Sequence, residues 1–184
     1  MDRVLQALLR TELRFFIRKV FTTVSPGETY LHNWHVDAIA HQLMRVRSGE
    51  SRRLLINQPP RSLKSICVSV AYVAWLLGHD PTRHVIVASY SGDFAAELHR
   101  QFRMVIASEW YAAVFPNLHL AKETGLELVT SQGGNRYATS FPNGRHDDQV
   151  DSVSQFLRWL QDAYLNQISF HVPFVVSRPR EFPP

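Results

Sequence analysis

Residues 65–77, Ser-Ile-Cys-Val-Ser-Val-Ala-Tyr-Val-Ala-Trp-Leu-Leu, hold no charged side chain, and the run stops at Gly78. A stretch of this length and apolarity predicts a helix buried on most of its sides. Such a helix must be covered by other elements, and the flanking sequence supplies candidates. A strand is predicted over 52–57, apolar at Leu54, Leu55 and Ile56, and a second over 84–90, with Val85, Ile86, Val87 and Ala88. Asp93 then opens a further helix towards Ser108. Strand, loop, helix, strand, helix is the pattern of a doubly wound α/β sheet.

Upstream, Val4, Leu5, Leu8, Leu9, Leu13, Phe16, Ile17 and Val20 recur at helical spacing over 2–22, while Arg10, Arg14 and Arg18 repeat every four residues on another face. A helix docked on the domain explains these residues; a DNA- or partner-facing basic stripe is the sharper alternative. Ser25-Pro26-Gly27 breaks the chain. Asn33 can cap a helix carrying Val36, Ile39, Ala40, Leu43 and Met44 and ending near Ser48-Gly49. Its aromatic entrance, Tyr30-Leu31-His32-Asn33-Trp34-His35, reads first as core anchoring. Downstream, 126–130 and 135–140 predict a hairpin around Gly133-Gly134, a last helix carries Val153, Phe156, Leu157, Leu160 and Tyr164, and 171–184 reads as a tail. The organisation expected is N-terminal helices over 1–50, an α/β unit over 51–140, a short helical piece over 141–170 and the tail, without internal repeats.

With 184 residues, 45% of them apolar, the chain can bury one ordinary core, which excludes collagen-like, mucin-like and wholly disordered readings. Of its 20 basic residues only Lys19, Lys64 and Lys122 are lysines, so the basicity is mostly the planar, bidentate kind suited to phosphate. Residues 1–110 hold 14 basic and 9 acidic groups, against 6 and 7 over 111–184, so a polyanion would face the first part. An Arg-rich solvated face accounts for the same charge. One cysteine, Cys67 in the apolar run, excludes a disulfide framework or a Cys-based zinc site and indicates a reducing compartment. No segment reaches the roughly 18 apolar residues of a membrane span, so a cytoplasmic protein without membrane contact is expected.

Between the first predicted strand and the buried helix lies Gln58-Pro59-Pro60-Arg61-Ser62-Leu63-Lys64-Ser65. A loop in this position can bind phosphate, because the first helix turn offers unpaired N–H groups at the positive end of the dipole. A Lys there reaches β and γ phosphates and the next hydroxyl holds Mg²⁺; Lys64 and Ser65 stand where that chemistry requires them. Against the pattern G-x-x-x-x-G-K-[ST], however, Gln58 and Leu63 occupy the glycine positions. Left-handed backbone at such positions is costly for any other residue.

The wider string, residues 54–65 followed by Ala74-Trp75-Leu76-Leu77-Gly78-His79-Asp80-Pro81 and Ala88-Ser89-Tyr90-Ser91, resembles the ATPase domain of tailed-phage terminase large subunits, which pump DNA into procapsids. One branch of that family carries a deviant Walker A motif of the form PPR-S-L-K-S. The similarity continues through Tyr30–His35, Glu109-Trp110-Tyr111, Phe115-Pro116 and 133–140. It implies an incomplete P-loop sheet of RecA/ASCE type with flanking helices. ATP and Mg²⁺ would be bound by Pro60, Arg61, Ser62, Leu63, Lys64 and Ser65, with Lys64 on the β/γ phosphates, Ser65 on Mg²⁺ and Arg61 on a phosphate or the transition state. Trp34 and His35 would flank adenine. Implied partners are double-stranded DNA, the terminase small subunit and the portal protein, in the cytoplasm of a bacterial host.

The acids of 146–152 open the last predicted helix, where they complement its dipole. Asp147 and Asp151 are four apart and Asp148 and Asp151 three apart, so two carboxylates can share a face and hold a divalent cation. The string 141–152 resembles the last acidic motif of the terminase nuclease domain, an RNase H-like fold. That resemblance makes Asp147 and Asp148, then Asp151, ligands of Mg²⁺ or Mn²⁺ and makes the helix a remnant of that domain. The Walker B strand and the earlier nuclease acids of the family have no counterpart in this sequence, as if the middle of a longer protein were missing near Ser140-Phe141. Slow hydrolysis, or none, is expected from such a chain. A non-catalytic nucleotide- or DNA-binding module and a decayed prophage remnant are the alternatives.

Overall fold

The computed structural model of the 184-residue chain describes residues 2–59 and 61–140. Its elements are α1 (Arg3–Thr11), α2 (Leu13–Val24), α3 (Trp34–Arg47), a π-helical segment (Ile66–Tyr72) running into α4 (Val73–His79), β1 (His84–Ser89), α5 (Gly92–Ile106), α6 (Glu109–Val114), β2 (Leu120–Glu123), β3 (Glu127–Thr130) and β4 (Asn135–Ser140). The acidic motif with Asp147, Asp148 and Asp151, the helix expected after it and the tail lie outside the described residues.

The fold is α/β, with a mixed sheet of four strands in the order β1-β4-β3-β2. β1 and β4 run parallel, in register from His84 opposite Asn135 to Ser89 opposite Ser140. β3 is antiparallel to both β4 and β2. The α/β class expected from the sequence is present, with β1 and β4 as the one parallel pair among the described strands. Short links between β2, β3 and β4 permit only antiparallel neighbours, whereas β1 reaches β4 through the long excursion of α5 and α6.

The buried helix forms as predicted and packs as the centre of the core, with Cys67, Val70, Ala71, Ala74, Trp75 and Leu77 at or near zero exposure. It runs through Gly78 instead of stopping there. A Cβ at that position would stand 2.5 Å from the Phe115 ring, so this glycine serves close packing rather than helix termination.

The single helix over 2–22 is corrected to two, because Glu12 is extended (φ −114°, ψ 101°). Carbonyls freed near the break are taken up by the central helix. Trp75 Nε1 donates to the Leu9 oxygen at 3.2 Å and His79 Nε2 to that of Arg10 at 2.9 Å. Below the break, Phe16 sits among Trp110, Tyr111 and Phe115 with ring centroids 5.3 to 6.2 Å away, which fixes α2 against α6. The strand predicted over 52–57 is corrected as well. Its period of two survives, since Leu54 and Ile56 pack on the core while Leu55 is exposed, but no strand ladder forms there.

The hairpin of β3 and β4 forms as expected. Gly133 takes φ +89°, and a Cβ on Gly134 would collide with the carbonyl oxygens of Pro81 and Arg83.

Candidate functional site

The segment from Gln58 to Ser65 enters the central helix, which begins at Lys64; Pro60 lies outside the described residues. Arg61 (φ +63°) and Leu63 (φ +60°) are the two non-glycine residues with left-handed backbone among the described residues. Left-handed geometry costs an ordinary L-residue about 1–2 kcal/mol. Leu63, in place of the motif's second glycine, therefore adopts the conformation a glycine would supply, while Gln58 in place of the first does not. Backbone strain held by a structure is a marker of functional loops.

Side chains around the strained backbone are incompletely satisfied. Ser62 Oγ and Gln58 Oε1 are buried and have no hydrogen-bond partner among the described residues. A buried polar atom left unpaired costs about 1–3 kcal/mol, so the loop carries a cost beyond its backbone strain. The Ser62 carbonyl accepts from His35 Nε2 at 3.1 Å, which ties the loop to the first turn of α3. Ser65 makes no capping hydrogen bond with its side chain, and neither Arg61 nor Lys64 takes part in an ion pair among the described residues. Two cations, two hydroxyls and the first turn of a helix are thereby brought together on eight residues of chain.

The aromatic entrance divides. Tyr30 packs edge-on to Phe21 at 5.4 Å, as core anchoring predicts. Trp34 is 76% exposed, so core anchoring is overturned for it; α3 turns Val36, Ile39, Ala40 and Leu43 inward and leaves Trp34 in solvent. Asn33 stands at the N-cap of α3 without a side-chain capping bond. His35, two residues on, reaches the loop.

The basic stripe on the N-terminal helices is engaged within the molecule. Arg10 lies over Phe115, Arg14 over Phe15 and beside Glu12, and Arg18 over Tyr30. The apolar face of these helices is docked on the core, while all three arginines stay exposed.

A second polar cluster was not foreseen from the sequence. Arg136 on β4 is fully buried beneath α5, donates from NH1 to His99 Nδ1 at 2.7 Å and lies over the Phe102 ring at 4.5 Å. Its Nε and NH2 have no partner among the described residues. Burial pushes the guanidinium down to about 9, and burial, then the Arg136 charge, holds His99 below the ordinary histidine range. The legible signal was strand alternation, which sets Arg136 and Ala138 on one face, both wholly buried.

No group of three or more His, Cys, Asp or Glu able to hold a metal occurs among the described residues. No helix among them is long and apolar enough to cross a membrane. A scan against protein-family models finds no match for the chain, and a search of the curated proteins finds none.

Proposed function

We propose that Gln58–Ser65 is a phosphate-binding loop and that the chain is the ATP-binding part of a phage terminase large subunit. The observation that supports it is the left-handed backbone of Leu63, one residue before Lys64 and at the glycine position of the motif. In this reading Lys64 and Arg61 neutralise phosphate oxygens, and the N–H groups of the first helix turn receive a phosphate without rearrangement. Ser65 would hold Mg²⁺, whose charge offsets that of the phosphates when it is bound. Trp34 and His35 would lie beside the base, where an exposed indole offers a stacking face.

The sheet would be the incomplete P-loop sheet that the resemblance implies, and 141–170 the remnant of an RNase H-like nuclease, with Asp147, Asp148 and Asp151 for Mg²⁺ or Mn²⁺. DNA, the small subunit and the portal protein in a bacterial cytoplasm belong to the same reading. Since no apolar strand of the sequence ends in an acid that could serve as Walker B, binding with little turnover is the activity proposed.

Titration of Mg-ATP into the full chain tests the assignment. Lys64→Ala is expected to weaken binding at least tenfold; equal affinity in the two proteins would refute it.

A further inference from the structure

We infer that His35 is a positioning residue that holds the glycine-free loop in its left-handed form, the task a glycine performs in loops of this type. For its phosphate consequence this inference rests on the proposed phosphate-binding reading.

The decisive atom is the Ser62 carbonyl oxygen. It belongs to the peptide joining Ser62 to Leu63, and the orientation of that peptide sets φ at Leu63. A flip of this one plane would carry Leu63 out of the left-handed region and release its strain. Such strain persists only where surrounding structure over-determines it. His35 Nε2 donates to this oxygen at 3.1 Å from another element, 27 residues earlier in the chain. The peptide whose flip would relax Leu63 is therefore the one pinned to α3. On its other side Leu63 is anchored by its own carbonyl, which accepts from Cys67 N at 2.8 Å, and by its side chain against the core.

The same bond aims a donor. In a trans peptide C=O and N–H point in opposite directions, so a carbonyl held on His35 turns the Leu63 N–H away from that imidazole. This N–H makes no hydrogen bond among the described residues. It precedes the N–H groups of Lys64 and Ser65 at the helix start, and successive amides of this kind form a concavity for an anion. Besides its proposed place beside the base, His35 thus acts on phosphate through the loop.

The test uses the full chain and three variants, His35→Ala, His35→Gln, and His35→Ala combined with Leu63→Gly. The sign of φ at Leu63 is read by NMR from its intraresidue HN–Hα cross-peak, strong for positive φ, without any ligand. His35→Ala is expected to weaken that peak, and His35→Gln, which keeps a donor, to retain it. Inorganic tripolyphosphate, which has no base, is the binding probe. Its affinity should fall about 5- to 30-fold in His35→Ala, the population equivalent of the left-handed penalty, and recover in the Leu63→Gly double variant, because glycine adopts positive φ freely. A strong cross-peak persisting in His35→Ala, or a double variant binding as weakly as His35→Ala, would overturn the inference. If the cross-peak responds as expected while the unmodified chain binds neither tripolyphosphate nor Mg-ATP, the phosphate-loop reading falls and the positioning role of His35 stands.

Discussion

Replacing Arg136 by Met is expected to stabilise the protein at neutral pH. The guanidinium is fully buried, bonded to His99 Nδ1 through NH1 alone, with Nε and NH2 unpartnered among the described residues. Burial brings it from the usual arginine range down to about 9. A displacement of roughly 3.5 pH units at about 1.4 kcal/mol each disfavours the charged form in the fold by about 5 kcal/mol relative to the unfolded chain. Met fills the space above Phe102 with an unbranched apolar chain, but it leaves His99 Nδ1 without its donor, at a cost of about 1–3 kcal/mol. The balance is a gain of about 2–4 kcal/mol at pH 7. The pH dependence has a definite sign. Because the folded value lies below the unfolded one, the cost is complete below pH 9 and shrinks as the pH rises through 9 towards the usual arginine range. Urea unfolding of both proteins at pH 7, 9, 10 and 10.5 should show the advantage of Arg136→Met closing by roughly 1.4 kcal/mol per pH unit above pH 9. A variant less stable than the parent by about 2 kcal/mol at pH 7, with a pH-independent difference, would show that the guanidinium is satisfied and the reasoning wrong; losing one partner of a buried pair has that magnitude or more.

Acid should weaken the fold at mildly low pH. Burial, joined by the Arg136 charge, depresses His99, and burial depresses His79 even though its ring donates to the Arg10 carbonyl. Unfolding therefore takes up protons below about pH 6.5, and the urea midpoint should fall between pH 7 and 5; His99→Leu should flatten that fall, and an unchanged slope would remove His99 from the explanation. Gly78→Ala should cost about 1–3 kcal/mol by overpacking the Phe115 ring, and Phe115→Leu in the same chain should recover part of it. Additive losses in the double variant, measured by thermal unfolding, would deny the contact.

Periodicity carried the helices. Amphipathic spacing located α3 and the Asp93 start signal located α5, each to within two residues, and the uncharged run located the central helix. What it could not locate was the break at Glu12, because the apolar spacing continues through it from Leu9 to Leu13 and Phe16. The break is stabilised from outside, by Trp75 and His79 taking the carbonyls of Leu9 and Arg10. Strand reading held for β1, β3 and β4 and failed at 52–57 for the opposite reason. Residues 52–57 have the composition of a strand and even its alternate burial, yet a strand exists only where a neighbour pairs with it. Meanwhile β2, Leu-Ala-Lys-Glu, is exposed at every position and announced itself by no pattern, since its place comes from pairing with β3 and from the ion pair of Glu123 with Arg103.

At the loop, residue type and backbone geometry separate. A glycine in a motif stands for a conformation, and the motif test rejects Leu63 because leucine is a poor bearer of that conformation in isolation. Isolation is what the fold removes. His35 pins the peptide before Leu63, Cys67 and the core hold it from behind, and the left-handed form becomes the one the surroundings select. The bond responsible joins residues 27 apart in sequence, so no window of local pattern contains it. Trp34 follows the same logic in reverse. Aromatic character alone assigned it to the core, whereas its position on α3, opposite Val36, Ile39 and Leu43, puts it in solvent. Side-chain chemistry was legible at both places. The contacts that decide what that chemistry does were legible at neither, because they are set by how α3 docks on the loop.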